Sequence, residues 1–354
     1  MSSIRKNSKT KRYLILIPVA ILIGTLAFYQ LLYQSPVVDS GIAQLQMIFD
    51  KHNHIVTSVR FSPDDSLLVT SSIDSTIKIW KRTSGKIVRE IKQPSGVAYM
   101  DLSSDGKYIV TGSYDSLVRL FSTEEGRLIK EFKGHLGTVW SVAISNDNKK
   151  IASGGNDAVV NIWEVETGNL LHKLTGHDRI IWSVKFSPDG LQVVSTSFDY
   201  SIKLWNVSDG RLLWDNKEHK ETVVDIAYSH NGRMLASTSD DKTIKLWNVA
   251  EQKLTRTMKV EEHVQAVAFS PDDKRLITGG RDKPMIGEFL QQIFGDSKFN
   301  PGVSSRLWEV ETGNLLQTFS KHGNDVMDVA YSHDGQWIAT ASADKTAELW
   351  KLSK

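Results

Sequence analysis

The chain has 354 residues, 40% of them hydrophobic and 24% charged, with 43 Lys and Arg against 41 Asp and Glu and no cysteine. A chain of this size can bury a large core, but without cysteine it can hold neither disulfides nor thiolate metal sites. The near balance of charge leaves no concentrated basic surface of the kind that displaces counterions from nucleic acid, so no nucleic-acid partner is expected.

Residues 1–12 hold Arg5, Lys6, Lys9, Lys11 and Arg12 with no acid, and 13–33 form an apolar run without a charge. As a helix that run rises roughly 30 Å, the thickness of the hydrocarbon layer. It is longer than the apolar part of a cleaved leader, and no small-x-small cleavage site follows it. An uncleaved transmembrane signal anchor over 13–33 is therefore predicted, after a basic cytoplasmic tail over 1–12 and before a linker over 34–43. Positive charge lies on the N-terminal side alone. By the positive-inside rule the N-terminus stays in the cytoplasm and the remainder lies on the extracytoplasmic side, which makes the lipid bilayer one expected partner.

From His52 onward one pattern recurs with a period of about 42 residues, as in a propeller array. An alternating strand is followed by a tight turn (SPDD at Ser62, SSDG at Ser103, SPDG at Ser187, SHNG at Ser229, SPDD at Ser270, SHDG at Ser332), a small-residue strand, an Asp turn, and a strand ending in an aromatic residue. Alternation broken by turn residues every 8 to 12 positions reads as short antiparallel strands. The turn aspartate recurs as Asp74, Asp115, Asp157, Asp199, Asp241, Asp282 and Asp344. Four residues before it stands Thr70, Thr111, Ser153, Ser195, Ser237, Thr278 or Thr340. Six residues after it stands Trp80, Phe121, Trp163, Trp205, Trp247 or Trp350, with Trp308 delayed by an insertion.

These coupled positions resemble the Trp-Asp (WD) repeat family over about 300 residues. The resemblance implies an all-β fold: a seven-bladed β-propeller of four-stranded antiparallel blades over 44–354, here preceded by one transmembrane helix. It also implies a buried hydrogen-bonded set in each blade. The sets are His52, Thr70, Asp74 and Trp80; His135, Ser153, Asp157 and Trp163; His177, Ser195, Asp199 and Trp205; His219, Ser237, Asp241 and Trp247; and His322, Thr340, Asp344 and Trp350. Burying such groups is tolerable only when they satisfy one another. Blade 2 has Gln93 and Phe121 at the His and Trp positions and blade 6 has Val260 at the His position, so these two are expected to be the loosest. The last repeat ends after three strands, and residues 44–49 match fourth-strand segments elsewhere. They are expected to complete blade 7 and close the ring, which removes exposed edges.

An insertion at about 283–303 in blade 6 carries Met285, Ile286, Phe289, Leu290, Ile293 and Phe294 at helical spacing, which predicts a short amphipathic helix. It would either cover the flaw in blade 6 or serve as a partner-docking or membrane-contacting element on the outward face. Neither His54 nor His263 sits in a metal-ligand spacing, and no nucleophile elbow, phosphate loop or pair of catalytic acids stands out. No catalytic residue, metal or cofactor is expected.

The resemblance implies a non-catalytic protein-interaction scaffold that presents its Asp-turn face to partner proteins or peptides; the alternative is a lactonase-like propeller hydrolase using the central channel. In family members, positions five residues after the His and one before the Asp present side chains on that face. Tyr114, Trp140, Trp182 and Phe198 occupy such positions in blades 2, 3 and 4 and form the candidate protein-binding site. The competing reading packs both tryptophans between blades as ordinary core.

Overall fold

A computed structural model describes residues 38–261, 263–280 and 304–353. The basic tail at 1–12, the anchor at 13–33, part of the linker at 34–43 and the blade 6 helix lie outside the described residues. Among the described residues no helix is long and apolar enough to cross a membrane.

Among the described residues, twenty-eight strands form seven four-stranded antiparallel sheets. In blade 1 the order is Val56–Phe61, Leu67–Ser72, Thr76–Lys81, Lys86–Lys92, and five further blades repeat it in sequence. Blade 7 differs. Its strands Val326–Tyr331, Trp337–Ser342 and Ala347–Leu352 take their fourth from the other end of the chain, Ala43–Phe49, which pairs antiparallel with Ala347–Leu352. The second strand of each blade holds small side chains, such as Ala-Ser-Gly-Gly over 152–155, because neighbouring blades press on both its faces. A Cβ on Gly154 would come within 2.5 Å of Ile181 in the next blade. The apolar core accordingly lies between blades: Trp205 of blade 4 packs with Val160, Ile162 and Leu174 of blade 3.

The turn between first and second strands pairs each blade with its successor by a rule visible in the sequence. Pro63, Pro188 and Pro271, which cannot donate a hydrogen bond, each face a glycine of the next blade, Gly106, Gly232 and Gly335. In blades 2, 5 and 7 the second turn residue keeps its N–H and the next blade supplies an acceptor, whereas in blade 3 the Asn146 side chain reaches Pro188 O (2.9 Å). Ser104 N–H donates to Asn148 (3.1 Å), His230 N–H to Asp273 (2.6 Å) and His333 N–H to Asp65 (2.9 Å). The last of these closes the ring from blade 7 to blade 1. Asp65 also accepts from the Asp334 N–H and the His333 ring.

Candidate functional site

Four blades carry the complete bonded set. In blade 5 the Trp247 indole donates to Ser237 Oγ (2.9 Å), the hydroxyl meets His219 Nε2 (2.7 Å), and His219 Nδ1 meets Asp241 (2.8 Å). The carboxylate fixes the tautomer: Nδ1–H donates to Asp241, which leaves Nε2 to accept from the hydroxyl. The same chain of contacts joins Trp80, Thr70, His52 and Asp74, then Trp163, Ser153, His135 and Asp157, then Trp205, Ser195, His177 and Asp199. Each aspartate then accepts a backbone N–H of the preceding loop, from Asn53, Leu136, Asp178 or Lys220. Burial works against the charge on these carboxylates. The imidazole and the neighbouring donors outweigh it and hold all four below the usual range.

Blades 2 and 7 depart from the expectation. In blade 7, His322 reaches Thr340 (2.7 Å) and Asp344 (2.9 Å), but the Trp350 N–H does not join them and lies beside the Glu348 carboxyl instead. Its ring stands edge-on to Phe319, with centroids 4.7 Å apart. The distinguishing neighbour is Glu348, which pairs with Thr340 at the strand position where blades 1, 2, 4 and 5 have Lys78, Arg119, Lys203 and Lys245. Its carboxyl is buried 3.6 Å from His322 Nε2. Burial raises its pKa to about 7, against the opposing pull of His322. In blade 2, Gln93 stands in for the missing histidine: its Oε1 accepts from Thr111 (3.0 Å) and its Nε2 donates to Ser113 (2.8 Å). Asp115, relieved of its histidine, forms a two-pronged ion pair with Arg119 (2.7 and 3.1 Å). Blade 2 thus replaces its bonded set rather than lacking one. Blade 6 keeps Trp308 on Thr278 (3.0 Å), while Val260 packs into the apolar cluster.

On the Asp-turn face the structure brings the four candidate aromatics into one chain of contacts. Tyr114 meets Trp140 at 5.5 Å between centroids, Trp140 meets Trp182 at 4.8 Å, and Trp182 meets Phe198 at 5.7 Å. None belongs to an apolar core cluster; Tyr114 is 37% exposed and the other three are half-buried. The backbone explains their aim. All seven first strands carry a register shift at the same place, and in blades 3 and 4 the residue set out of register is Trp140 and Trp182. A bulge of this kind turns a side chain out of the strand's alternation, here onto the face instead of into the blade contact.

Two further apolar residues on this face were missed by sequence reasoning. Leu136, just after His135, is 79% exposed, and Tyr200, just after Asp199, is 40% exposed. Tyr200 holds a left-handed backbone (φ 70°), a conformation costly for a bulky side chain and often kept where function requires it. The corresponding residue elsewhere is Ser75, Ser116, Ala158, Lys242 or Lys345, all left-handed, so the aromatic at this repeat position was the available signal.

The channel also departs from a simple tunnel. Arg60 of blade 1 donates to Asp328 of blade 7 and to the Tyr99 hydroxyl of blade 2 (2.6 Å each), and Lys185 of blade 4 reaches the same hydroxyl (2.7 Å). Side chains of the non-adjacent blades 2 and 4 thus meet past blade 3. Among the described residues no cluster of three His, Asp or Glu could hold a metal ion.

The WD domain, G-beta repeat family matches residues 43–81, 85–122, 126–164, 168–206, 210–248, 252–283 and 313–351. The chain belongs to this family. It is similar to Protein HIRA of Xenopus laevis (35% identical over 91 residues, 26% of this chain and 9% of that protein). It is also similar to Target of rapamycin complex subunit wat1 of Schizosaccharomyces pombe (31% over 101 residues, 28% and 26%) and to Nuclear distribution protein PAC1 of Arthroderma benhamiae (35% over 102 residues, 28% and 20%). The matched part spans at most about a quarter of each of these relatives.

Proposed function

We propose that this chain is a non-catalytic, membrane-tethered interaction scaffold whose Asp-turn face over blades 2 to 4 receives partner proteins. The observation that carries the reading is the contiguous aromatic run Tyr114, Trp140, Trp182 and Phe198, half-exposed on a rigid ring. Aromatic side chains offer large contact area at low entropic cost and dominate binding hot spots. One relative is by its name a subunit of a complex, which agrees with work inside an assembly. The hydrolase alternative needs an open, metal-bearing channel, and the contacts among Arg60, Tyr99 and Lys185, from three different blades, weigh against it. The tether is the apolar run 13–33, and its flanking charge puts the N-terminus in the cytoplasm and the propeller beyond the bilayer.

Partner capture from native membranes by cross-linking tests the reading. Trp140→Ala and Trp182→Ala should each weaken the captured complex by roughly 2 kcal/mol or more with the fold retained. Normal capture by both variants would sink the site. Protease added to intact cells should digest the propeller without lysis of the inner membrane; protection until lysis would reverse the topology.

A further inference from the structure

The two tryptophans at the centre of the aromatic run occupy the same bulged position in neighbouring blades, yet their polar ends differ. Trp140 Nε1–H donates to Asn156 Oδ1 at 2.5 Å within its own blade. The residue at the Asn156 position in blade 4 is Phe198, which offers no acceptor. Trp182 Nε1 is buried and has no hydrogen-bond partner, and the same holds for the hydroxyl of Thr196, on the strand opposite the bulge. A buried unpaired donor is costly and uncommon enough to require an account. Ring contacts alone hold Trp182, so its indole can turn outward without breaking a hydrogen bond, whereas Asn156 pins Trp140.

We propose that Trp182 is the polar anchor of this face: on binding, its N–H turns out to donate to a main-chain carbonyl of an extended peptide segment lying along the aromatic run. The inference rests on the reading that this run receives the partner, and adds what is recognised there. Two observations narrow the ligand. The rings touch one another in a continuous chain, with centroids 4.8 to 5.7 Å apart and planes inclined by 31 to 77°, so they present one extended apolar run along which a peptide segment can lie. The carboxylates on this face are largely spoken for: Asp115 by Arg119, Asp157 by His135 and Asp199 by His177, while exposed Asp178 and Arg179 offset one another. With no surplus cation to hold a carboxylate or phosphate, a neutral amide carbonyl is the fitting acceptor.

The test uses the full chain in detergent, labelled with ¹⁵N-tryptophan, and the capped peptide acetyl-Leu-Leu-methylamide as a probe of amide carbonyls. The Trp182 indole N–H signal, assigned with Trp182→Phe, should move downfield on titration, while the Trp140 N–H signal moves little. Phe198→Asn supplies the acceptor that blade 3 has; its Trp182 signal should start downfield, stay there, and go with about tenfold weaker binding. Phe198→Leu removes the ring without adding an acceptor and should keep the Trp182 response. Equal shifts of Trp140 and Trp182, unchanged in Phe198→Asn, would overturn the donor role while leaving the run as the receiving surface. No change at any indole of the run would overturn that surface itself and the inference with it.

Discussion

Glu348 makes ring closure sensitive to pH, in a direction opposite to ordinary acid loss. It sits on the third strand of blade 7, the strand that pairs with the N-terminal segment Ala43–Phe49, with its side chain 3% exposed. Burial raises its pKa from 4.5 to about 7, so the folded protein favours the neutral acid. A group raised in this way contributes stability that is fully present below pH 4.5 and is lost as pH rises through about 7. At roughly 1.4 kcal/mol for each tenfold change in the proton equilibrium, that move amounts to on the order of 3 kcal/mol. Glu348→Gln keeps the shape, removes the titration and leaves an amide oxygen to accept from the Trp350 N–H in the carboxyl's place. The assay is urea unfolding of the full chain followed by tryptophan fluorescence from pH 4 to pH 9. The variant should gain on the native chain by on the order of 3 kcal/mol between pH 4.5 and 7, with the difference level above that. A difference independent of pH, or one that shrinks as pH rises, would refute the reasoning.

Acid should act on the four bonded sets in the opposite sense. Asp74, Asp157, Asp199 and Asp241 are held below 3.8, so their stabilisation is present above pH 3.8 and is lost as pH falls below it; a melting temperature unchanged between pH 5 and pH 2 would contradict this. Ser237→Ala strands both the Trp247 N–H and His219 Nε2, and should cost about 2 to 4 kcal/mol in urea unfolding, whereas an exposed control such as Ser208→Ala should cost under about 0.5 kcal/mol. Asp65→Ala removes the acceptor for two backbone N–H groups where blade 7 meets blade 1. It should lower stability by about 2 kcal/mol and raise hydrogen exchange first in Ala43–Phe49 and Ala347–Leu352; exchange rising evenly around the ring would argue against a closing role. Tyr200→Asn should relieve the left-handed strain, raising stability by about 1 kcal/mol while weakening partner capture, and unchanged capture would remove Tyr200 from the site.

What could be read from the sequence followed from what is repeated. A hydroxyl and an aspartate at a fixed offset seven times, with an aromatic at a fixed offset six times, locate the blades, because buried polar groups are tolerated only when they satisfy one another. The closing strand was visible for the same reason: its side chains match fourth strands elsewhere. Exceptions were harder to read. Nothing in the spacing shows that Gln93 bridges Thr111 and Ser113, since an amide has both donor and acceptor and can take several geometries. Trp350 matches the pattern by position but leaves its set beside a buried carboxyl, a conflict that only side-chain packing reveals. The bulge that aims Trp140 and Trp182 outward is a backbone feature with no residue signature, so sequence could name those residues without deciding between core and surface. Tyr99 reads as an ordinary strand residue until the ring closes and brings Lys185, 86 positions away, onto its hydroxyl.

Site-specific photo-cross-linking in cells tests the central claim most directly, with p-benzoylphenylalanine placed singly at Tyr114 and Phe198 on the aromatic run and at Ser104 and Leu191 in turns on the opposite face. The account predicts discrete protein adducts from positions 114 and 198, lost when Trp182 is replaced by Ala in the same chain, and none from 104 or 191. Adducts from 104 or 191 alone would show that partners use the other face and would contradict it.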